Sequence, residues 1–236
     1  MSPRPVRALA AALALTAASP PASAVAAPSR APLVAELFTA QGCSACPQAD
    51  AVFRDVTRRR GVVALTFPVD IWDYLGWADT GARPEFTDRQ RAYVARLKLH
   101  EIYTPELVVN GRREGVGFDR DKVAALIAST PRLRGPRVRF RSAAAVEVAS
   151  GPTPAGGAEV WLARFDPAER SVRVTRGENR GKTVVQQNLV RQLVRLGAWT
   201  GRARRYALPP SEAAGLRAAV LVQGAKGGSI FSAAVR

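Results

Sequence analysis

The sequence predicts an α/β protein in two parts: a mixed sheet with flanking helices, followed by an all-β, sandwich-like segment. Three observations carry this. Between residues 33 and 130, runs that suit buried strands alternate with stretches whose apolar residues recur at helical spacing. An Asn110-Gly111 dipeptide stands between two short strand-like runs, the strongest local signature of a two-residue hairpin turn. After Pro131 the helical periodicity fades, and apolar residues pair at period two between Pro and Gly punctuation.

The elements follow in order. Arg4 and Arg7, the apolar run Ala8 to Ala18, and the small residues Ala22-Ser23-Ala24 and Ala24-Val25-Ala26 make residues 1–26 a secretory signal, so the fold is expected to begin after them. Leu33 to Phe38 is apolar except for Glu36, as in a strand covered on both faces. Ala49, Val52, Phe53 and Val56 then mark an amphipathic helix that begins at Cys43-Ser44-Ala45-Cys46. Val62 to Val69 is a second buried strand, and Thr87-Asp88-Arg89-Gln90 reads as a capping box opening a helix that runs to about Lys98. Leu107-Val108-Val109 and Arg112 to Val116 form the hairpin, and Asp119 caps a helix with Val123, Leu126 and Ile127 on one face. These elements define a first domain at 32–131.

In the second, 137–236, Val138/Phe140, Val146/Val148, Val160/Leu162, Val172/Val174 and Val220/Val222 alternate as strands of a sandwich do. Leu189 to Trp199 fits helix or strand, and its neighbours favour strand.

Composition narrows the function. The longest apolar run falls short of the roughly 20 residues of a bilayer-spanning helix, so no transmembrane segment is expected. Two cysteines, one histidine and one methionine exclude a disulfide-dense scaffold and a four-ligand Cys/His zinc site. Without Arg4 and Arg7 the chain keeps 33 basic against 19 acidic residues, a charge of +14. The arginines are spread along it rather than gathered with aromatics on one element, which argues against nucleic acid. They read as an arginine-biased, solvated surface, with loose attraction to an anionic envelope surface as the lesser alternative.

The chemistry rests on one Cys pair. Two cysteines separated by two residues at a helix N-terminus can close a disulfide within one turn, and the helix end stabilises the thiolate of the first. Cys43 is then the exposed nucleophile, and Cys46, one turn in, the resolving thiol. A static disulfide is the alternative, but so short a loop restrains little of the unfolded chain.

ELFTAQGCSACPQAD (Glu36 to Asp50) together with YTPELVVNGR (Tyr103 to Arg112) resembles the thioredoxin superfamily. With VDIWDYLGW (Val69 to Trp77) between them, the set is similar to a family of secreted bacterial proteins known only as a domain of unknown function. The resemblance covers 33–130 strongly and the stretches 176–179 and 188–191 weakly. It implies that Pro105 is the cis-proline facing the Cys pair and that Thr104 pairs with a bound substrate strand. In some relatives a buried acid six residues before the first Cys assists the second thiol. Leu37 occupies that position here and Glu36 adjoins it, so Glu36 is either that proton relay or a hydrogen-bonded structural carboxylate. The dipeptide Ser44-Ala45 matches neither thioredoxin nor its strongly oxidising relatives, which leaves the redox direction open.

Asp70 to Pro84 is about twice a typical connection and carries Trp72, Tyr74 and Trp77 among Asp70, Asp73 and Asp79. The loop forms a lid or a substrate-binding wall beside Cys43, or else Trp72 and Trp77 plug the core of an insertion. The aspartates match no known cation loop. His100 leaves a helix and reads as a surface residue, so no metal and no cofactor are expected. The sequence therefore points to a secreted or periplasmic dithiol-disulfide oxidoreductase acting on protein or small-molecule thiols and disulfides. The alternatives are a non-enzymatic binding module, a Cu(I) carrier, or an envelope structural protein whose β half carries the function.

Overall fold

The computed structural model of the 236-residue chain describes Met1 and residues 31–236, so the expected signal at 1–26 lies outside the described residues. β1 (Leu33–Thr39) is buried along its whole length, pairs in parallel with β2 (Val62–Pro68), and pairs antiparallel with β3 (Glu106–Val109). β3 turns into β4 (Arg113–Val116) through Asn110 and Gly111, whose φ angles of 53° and 57° are both positive, as the tightest hairpin turn requires.

Three helices cover this sheet. α1 (Cys46–Thr57) and α3 (Arg120–Ser129) pack Ala49, Val52, Phe53, Val56, Val123 and Ile127 against Leu33, Ala35 and Leu37. α2 (Pro84–Leu97) packs Phe86 and Tyr93 against the alternate residues Val34, Phe38, Leu65 and Phe67. The period of two along β1 thus divides one strand between two cores. Asp119 caps α3 as expected, accepting from the amides of Asp121 and Lys122. α2 starts three residues before the expected capping box. Pro84 follows the extended Arg83, and a proline at the first helical position gives up an amide that would have no partner there. Thr87, inside the helix, donates instead to Asp70 Oδ1 at 2.7 Å and ties the aromatic loop to α2.

The second half is rich in β structure, as expected, and it joins the first. β7 (Ala158–Asp166), β10 (Leu189–Trp199), β12 (Arg217–Gly224) and β13 (Ile230–Val235) extend the same sheet, in the order β13-β12-β7-β10-β2-β1-β3-β4. The junction lies at Thr66 of β2, which pairs with Leu189; its amide donates to Asn188 O at 3.0 Å and its hydroxyl to Gln187 O at 2.6 Å. The runs 32–131 and 137–236 therefore share one sheet.

β5 (Val138–Ser142), β6 (Ala145–Val148) and β11 (Arg204–Ala207) form a second sheet of three strands. It buries Val146, Val148 and Tyr206 against Val160, Leu162, Val220 and Val222, which is the sandwich packing read from the alternation. β10 is a strand with register shifts at Val190/Gln192 and Arg195/Gly197. Each shift displaces the period of two, which is why this segment also fits a helix in the sequence. β8 (Arg170–Arg173) and β9 (Thr183–Gln186) pair as a separate ribbon, and the segment between them reaches back to the Cys pair.

Candidate functional site

The end of β1 runs into the turn Ala40 to Ala45, and α1 opens at Cys46 with Pro47 in its first turn. The turn is closed by Cys43 N donating to Ala40 O and Cys46 N donating to Cys43 O, each at 3.2 Å. Cys43 and Cys46 are joined as a disulfide with their Cα atoms 5.4 Å apart. The site thus sits at the carboxyl end of a central strand and the amino end of a helix, where fixed backbone amides favour an anion.

Opposite the disulfide, the Thr104–Pro105 peptide is cis, as the resemblance implied. The Cys43 sulfur lies 3.8 Å from Thr104 O. A disulfide sulfur has no proton to donate, so this is a packing contact. Gln90 fixes the loop from α2, its Nε2 donating to Tyr103 O and Glu106 Oε2, both at 2.7 Å. On the far side, Gly117 N donates to Pro105 O at 3.0 Å. A Cβ at Gly117 would stand 2.7 Å from Leu37 Cδ1, so only glycine fits there without displacing Leu37.

One expectation is corrected. Cys43 is not an exposed thiol: it is 4% exposed, against 0% for Cys46. The turn is covered by Trp72, whose Cβ would lie 3.5 Å from a Cβ at Gly42, and by Asn179, which bonds to Cys43 O.

The aromatic loop divides. Trp72 Nε1 donates to Thr104 Oγ1 at 2.7 Å, so Trp72 bridges to the cis-proline loop, and Tyr74, 6.1 Å away between ring centroids, is 76% exposed. Trp77 donates to Gln41 Oε1 at 3.0 Å and serves the turn itself. The three aspartates are all engaged within the loop and its supports. Asp70 accepts from Thr87, Asp73 from Asp79 N, and Asp79 from the amides of Gln41, Gly81 and Ala82. Burial nevertheless pushes Asp79 up to about 6. Among the described residues no group of three or more His, Cys, Asp or Glu side chains is placed to hold a metal ion, and His100 is exposed.

Glu36 faces α2. Its carboxylate accepts from Arg89 Nε at 2.7 Å and from Tyr93 Oη at 2.5 Å, all three side chains being buried, and the Arg89 guanidinium lies 5.3–5.8 Å from the rings of Phe67, Tyr93 and Trp161. Of the two roles open to it from the sequence, this geometry is that of a structural carboxylate. Arg89→Met is expected to destabilise the fold by about 3–5 kcal/mol in urea unfolding, because it leaves a buried carboxylate without its counter-charge. Combining it with Glu36→Gln should recover most of that loss.

Two buried acids that sequence reasoning missed adjoin the site residues in the chain, Asp50 after Cys46 and Glu106 after Pro105. Asp50 is one turn beyond Cys46 on α1 and 3% exposed, and among the described residues neither carboxyl oxygen completes a hydrogen bond; the Thr39 hydroxyl, the polar group that acts on it, is equally unpaired. Burial pushes it up to about 8, Asp79 adds to the shift, and Thr39 and Arg54 offset part of it. Glu106, directly after Pro105, is also buried, and burial pushes it up to about 7 with one oxygen unpartnered. A carboxyl among Ala49, Val52 and Phe53 on the apolar stripe of α1 was the available signal for Asp50.

The family described as "Protein of unknown function (DUF1223)" matches residues 34–223. The chain belongs to this family. The DUF1223 match runs through both halves, in keeping with their shared sheet. An X-ray structure of a protein from Agrobacterium tumefaciens is similar with a TM-score of 0.69 at 31% identity, over 86% of this chain and 92% of that one. HBP35 of Porphyromonas gingivalis is similar with a TM-score of 0.55 at 11% identity, over 87% of this chain and 74% of that one, a likeness of fold alone. No curated protein matches the chain.

Proposed function

We propose that this DUF1223 protein is an exported, secreted or periplasmic dithiol-disulfide oxidoreductase acting on protein or small-molecule thiols and disulfides. The observation that carries this is the Cys43–Cys46 disulfide at the mouth of α1, facing Thr104–Pro105, with an unpartnered acid buried one turn below Cys46. A disulfide kept only for stability has no use for that acid.

In the reductive direction the Cys43 thiolate attacks one sulfur of a substrate disulfide, forming a mixed disulfide and releasing the other sulfur as a thiolate. Cys46 then attacks the Cys43 sulfur. The substrate leaves as its second thiolate, the Cys43–Cys46 bond closes, and the Cys46 proton passes to Asp50. Residues four apart on a helix have Cβ atoms about 5–6 Å apart, within reach of such a transfer directly or through one water. In the oxidative direction a substrate thiolate opens the disulfide at Cys43, and protonated Asp50 supplies the proton to the departing Cys46 sulfur. With its carboxyl pushed up to about 8, Asp50 holds that proton at neutral pH in the disulfide state.

Thr104 and Pro105 provide the edge along which a substrate strand lies, and Trp72 and Tyr74 provide an aromatic lip beside it. Tyr74→Ala is accordingly expected to raise KM for a disulfide-containing protein about three- to tenfold, the worth of one aromatic contact. It should leave the rate with a small aryl disulfide unchanged; an equal effect on both substrates would remove Tyr74 from the binding surface. The reading as a whole is tested by incubating the reduced chain with a protein disulfide and the oxidised chain with a reduced client, each followed by mass spectrometry. Turnover in either direction supports it, and none in both contradicts it.

A further inference from the structure

The Cys turn is held by a part of the chain far from it in sequence. Asn179, fully buried in the segment between β8 and β9, lies 136 residues beyond Cys43. Its Nδ2 donates to Gln41 O at 2.9 Å and to Cys43 O at 2.7 Å, while its Oδ1 accepts from Lys182 Nζ at 3.0 Å. The preceding residue, Glu178, is exposed and accepts from Ser44 N with its Oε2 at 3.1 Å. Gly177, with φ of +71°, sets the segment against the aromatic loop: a Cβ there would lie 3.6 Å from Leu75 O. The polar contacts of this segment thus converge on the three residues Gln41, Cys43 and Ser44.

This placement has a chemical consequence. A thiolate at the mouth of a helix draws on nearby backbone amides and is destabilised by a neighbouring negative charge. Glu178 does both things that disfavour it, since its carboxylate takes the Ser44 amide and carries its charge to the residue next to Cys43. The other charged and titratable groups near the turn include Lys182, Arg176 and Arg180 on the same segment, Asp79 in the aromatic loop, Asp50 and Arg54 on α1, and Glu106 after Pro105. Among the described residues Lys182 is bonded to Asn179 Oδ1, whose Nδ2 holds the turn.

We propose that Glu178, held in place by Asn179, is a positioning residue that sets the ionisation of Cys43 and biases the pair toward the disulfide. The proposal rests on Cys43 and Cys46 being the reactive pair. Reduction by an external dithiol moves two electrons into the Cys43–Cys46 bond, leaves both sulfurs as thiol or thiolate, and converts the reductant to its own disulfide. Glu178 raises the free energy of the product in which Cys43 is a thiolate, and its bond to Ser44 N supports the starting disulfide.

The test uses the full chain and its Glu178→Gln variant, whose substitution is on the surface and keeps an acceptor for Ser44 N. The reduced proteins are alkylated with iodoacetamide across a range of pH, and the disulfide is equilibrated against buffers of a small dithiol and its disulfide. The variant is expected to reach half-maximal Cys43 labelling at lower pH and to shift the equilibrium about threefold toward the dithiol, the size of a charge effect at a helix N-terminus. Both differences should shrink at about 1 M salt, where exposed charges are screened within a few ångströms; a purely structural role would not follow salt in this way.

Unchanged labelling and equilibrium in the variant, or differences that persist undiminished in salt, overturn the proposal. In an Asn179→Ala background the Glu178→Gln substitution should make little further difference, and a full effect there removes Asn179 from the account. If Asn179→Ala does not fold, the Glu178→Gln comparison still decides the role of Glu178. Both readouts need only stoichiometric thiol chemistry and no turnover. A chain that fails to catalyse exchange therefore contradicts the oxidoreductase reading and leaves this test standing.

Discussion

Cys43→Ser is expected to bring exchange down to the uncatalysed rate, and Cys46→Ser to accumulate a stable mixed disulfide on Cys43. The asymmetry follows from position. Cys43 lies in the turn before α1, 3.8 Å from Thr104 O at the substrate edge, whereas Cys46 is fully covered and in the first turn of the helix. A thiol in the second place can attack the sulfur of the first but cannot meet an external disulfide without opening the site. Alkylation of the reduced chain should label Cys43 first, more slowly than a solvent-exposed thiol because Trp72 and Asn179 cover its turn. Mass spectrometry after limited labelling checks both points. Equal labelling, or a trapped adduct on Cys46, would reverse the assignment.

Asp50→Asn is expected to slow both directions of exchange by about 10²-fold, the usual contribution of a general acid or base, and to change how stability depends on pH. In the unfolded chain Asp50 titrates near 3.8, while in the folded disulfide form burial raises it to about 8. Between those values the folded state holds a proton that the unfolded state has lost, so stability falls as pH rises. The slope is about 1.4 kcal/mol per pH unit within that window. The contribution is fully present below pH 4 and lost above pH 8. Over the window it amounts to about 6 kcal/mol, and Asp50→Asn, which has no charge to bury, should remove that slope. Urea unfolding of the oxidised proteins at pH 5, 7 and 9 measures it. Parallel profiles for the two proteins would mean that Asp50 is ionised in the fold and offers no proton to Cys46.

The first half of the fold was legible because its signals are local. An apolar run fixed β1, a dipeptide fixed the hairpin, and Ala49, Val52, Phe53 and Val56 fixed the inner face of α1. The start of α2 was misplaced because Thr87-Asp88-Arg89-Gln90 has the form of a capping box. Pro84 initiates the helix earlier, and Thr87 serves Asp70 instead. That β10 would join β2 could not be read, since the pairing depends on Thr66 and Leu189, more than a hundred residues apart.

Within the site, the placement of Cys43, Cys46 and Pro105 was legible from spacing and resemblance, whereas the bond of Trp72 to Thr104 was not, because it joins two loops 32 residues apart. Asp50 stands on the apolar stripe of α1, but a single carboxyl there does not reveal its burial, which depends on what packs over the stripe. Glu178 and Asn179 lie in the stretch 176–179 that the resemblance covers weakly and to which it gives no role. Their contact with the turn arises because the ribbon of β8 and β9 brings the segment between them onto it. Glu36 is the converse case: it adjoins the position that holds a buried acid in some relatives, but the alternation of β1 turns it toward Arg89 and Tyr93.

Whether Cys43–Cys46 is a working disulfide is tested most directly by the reduction potential of the pair. Equilibrating the full chain with dithiol buffers and quenching by alkylation gives the value. The account predicts a potential in the range of exchanging dithiols, between about −120 and −270 mV. A value well below about −300 mV, where structural disulfides of secreted proteins lie, would contradict it.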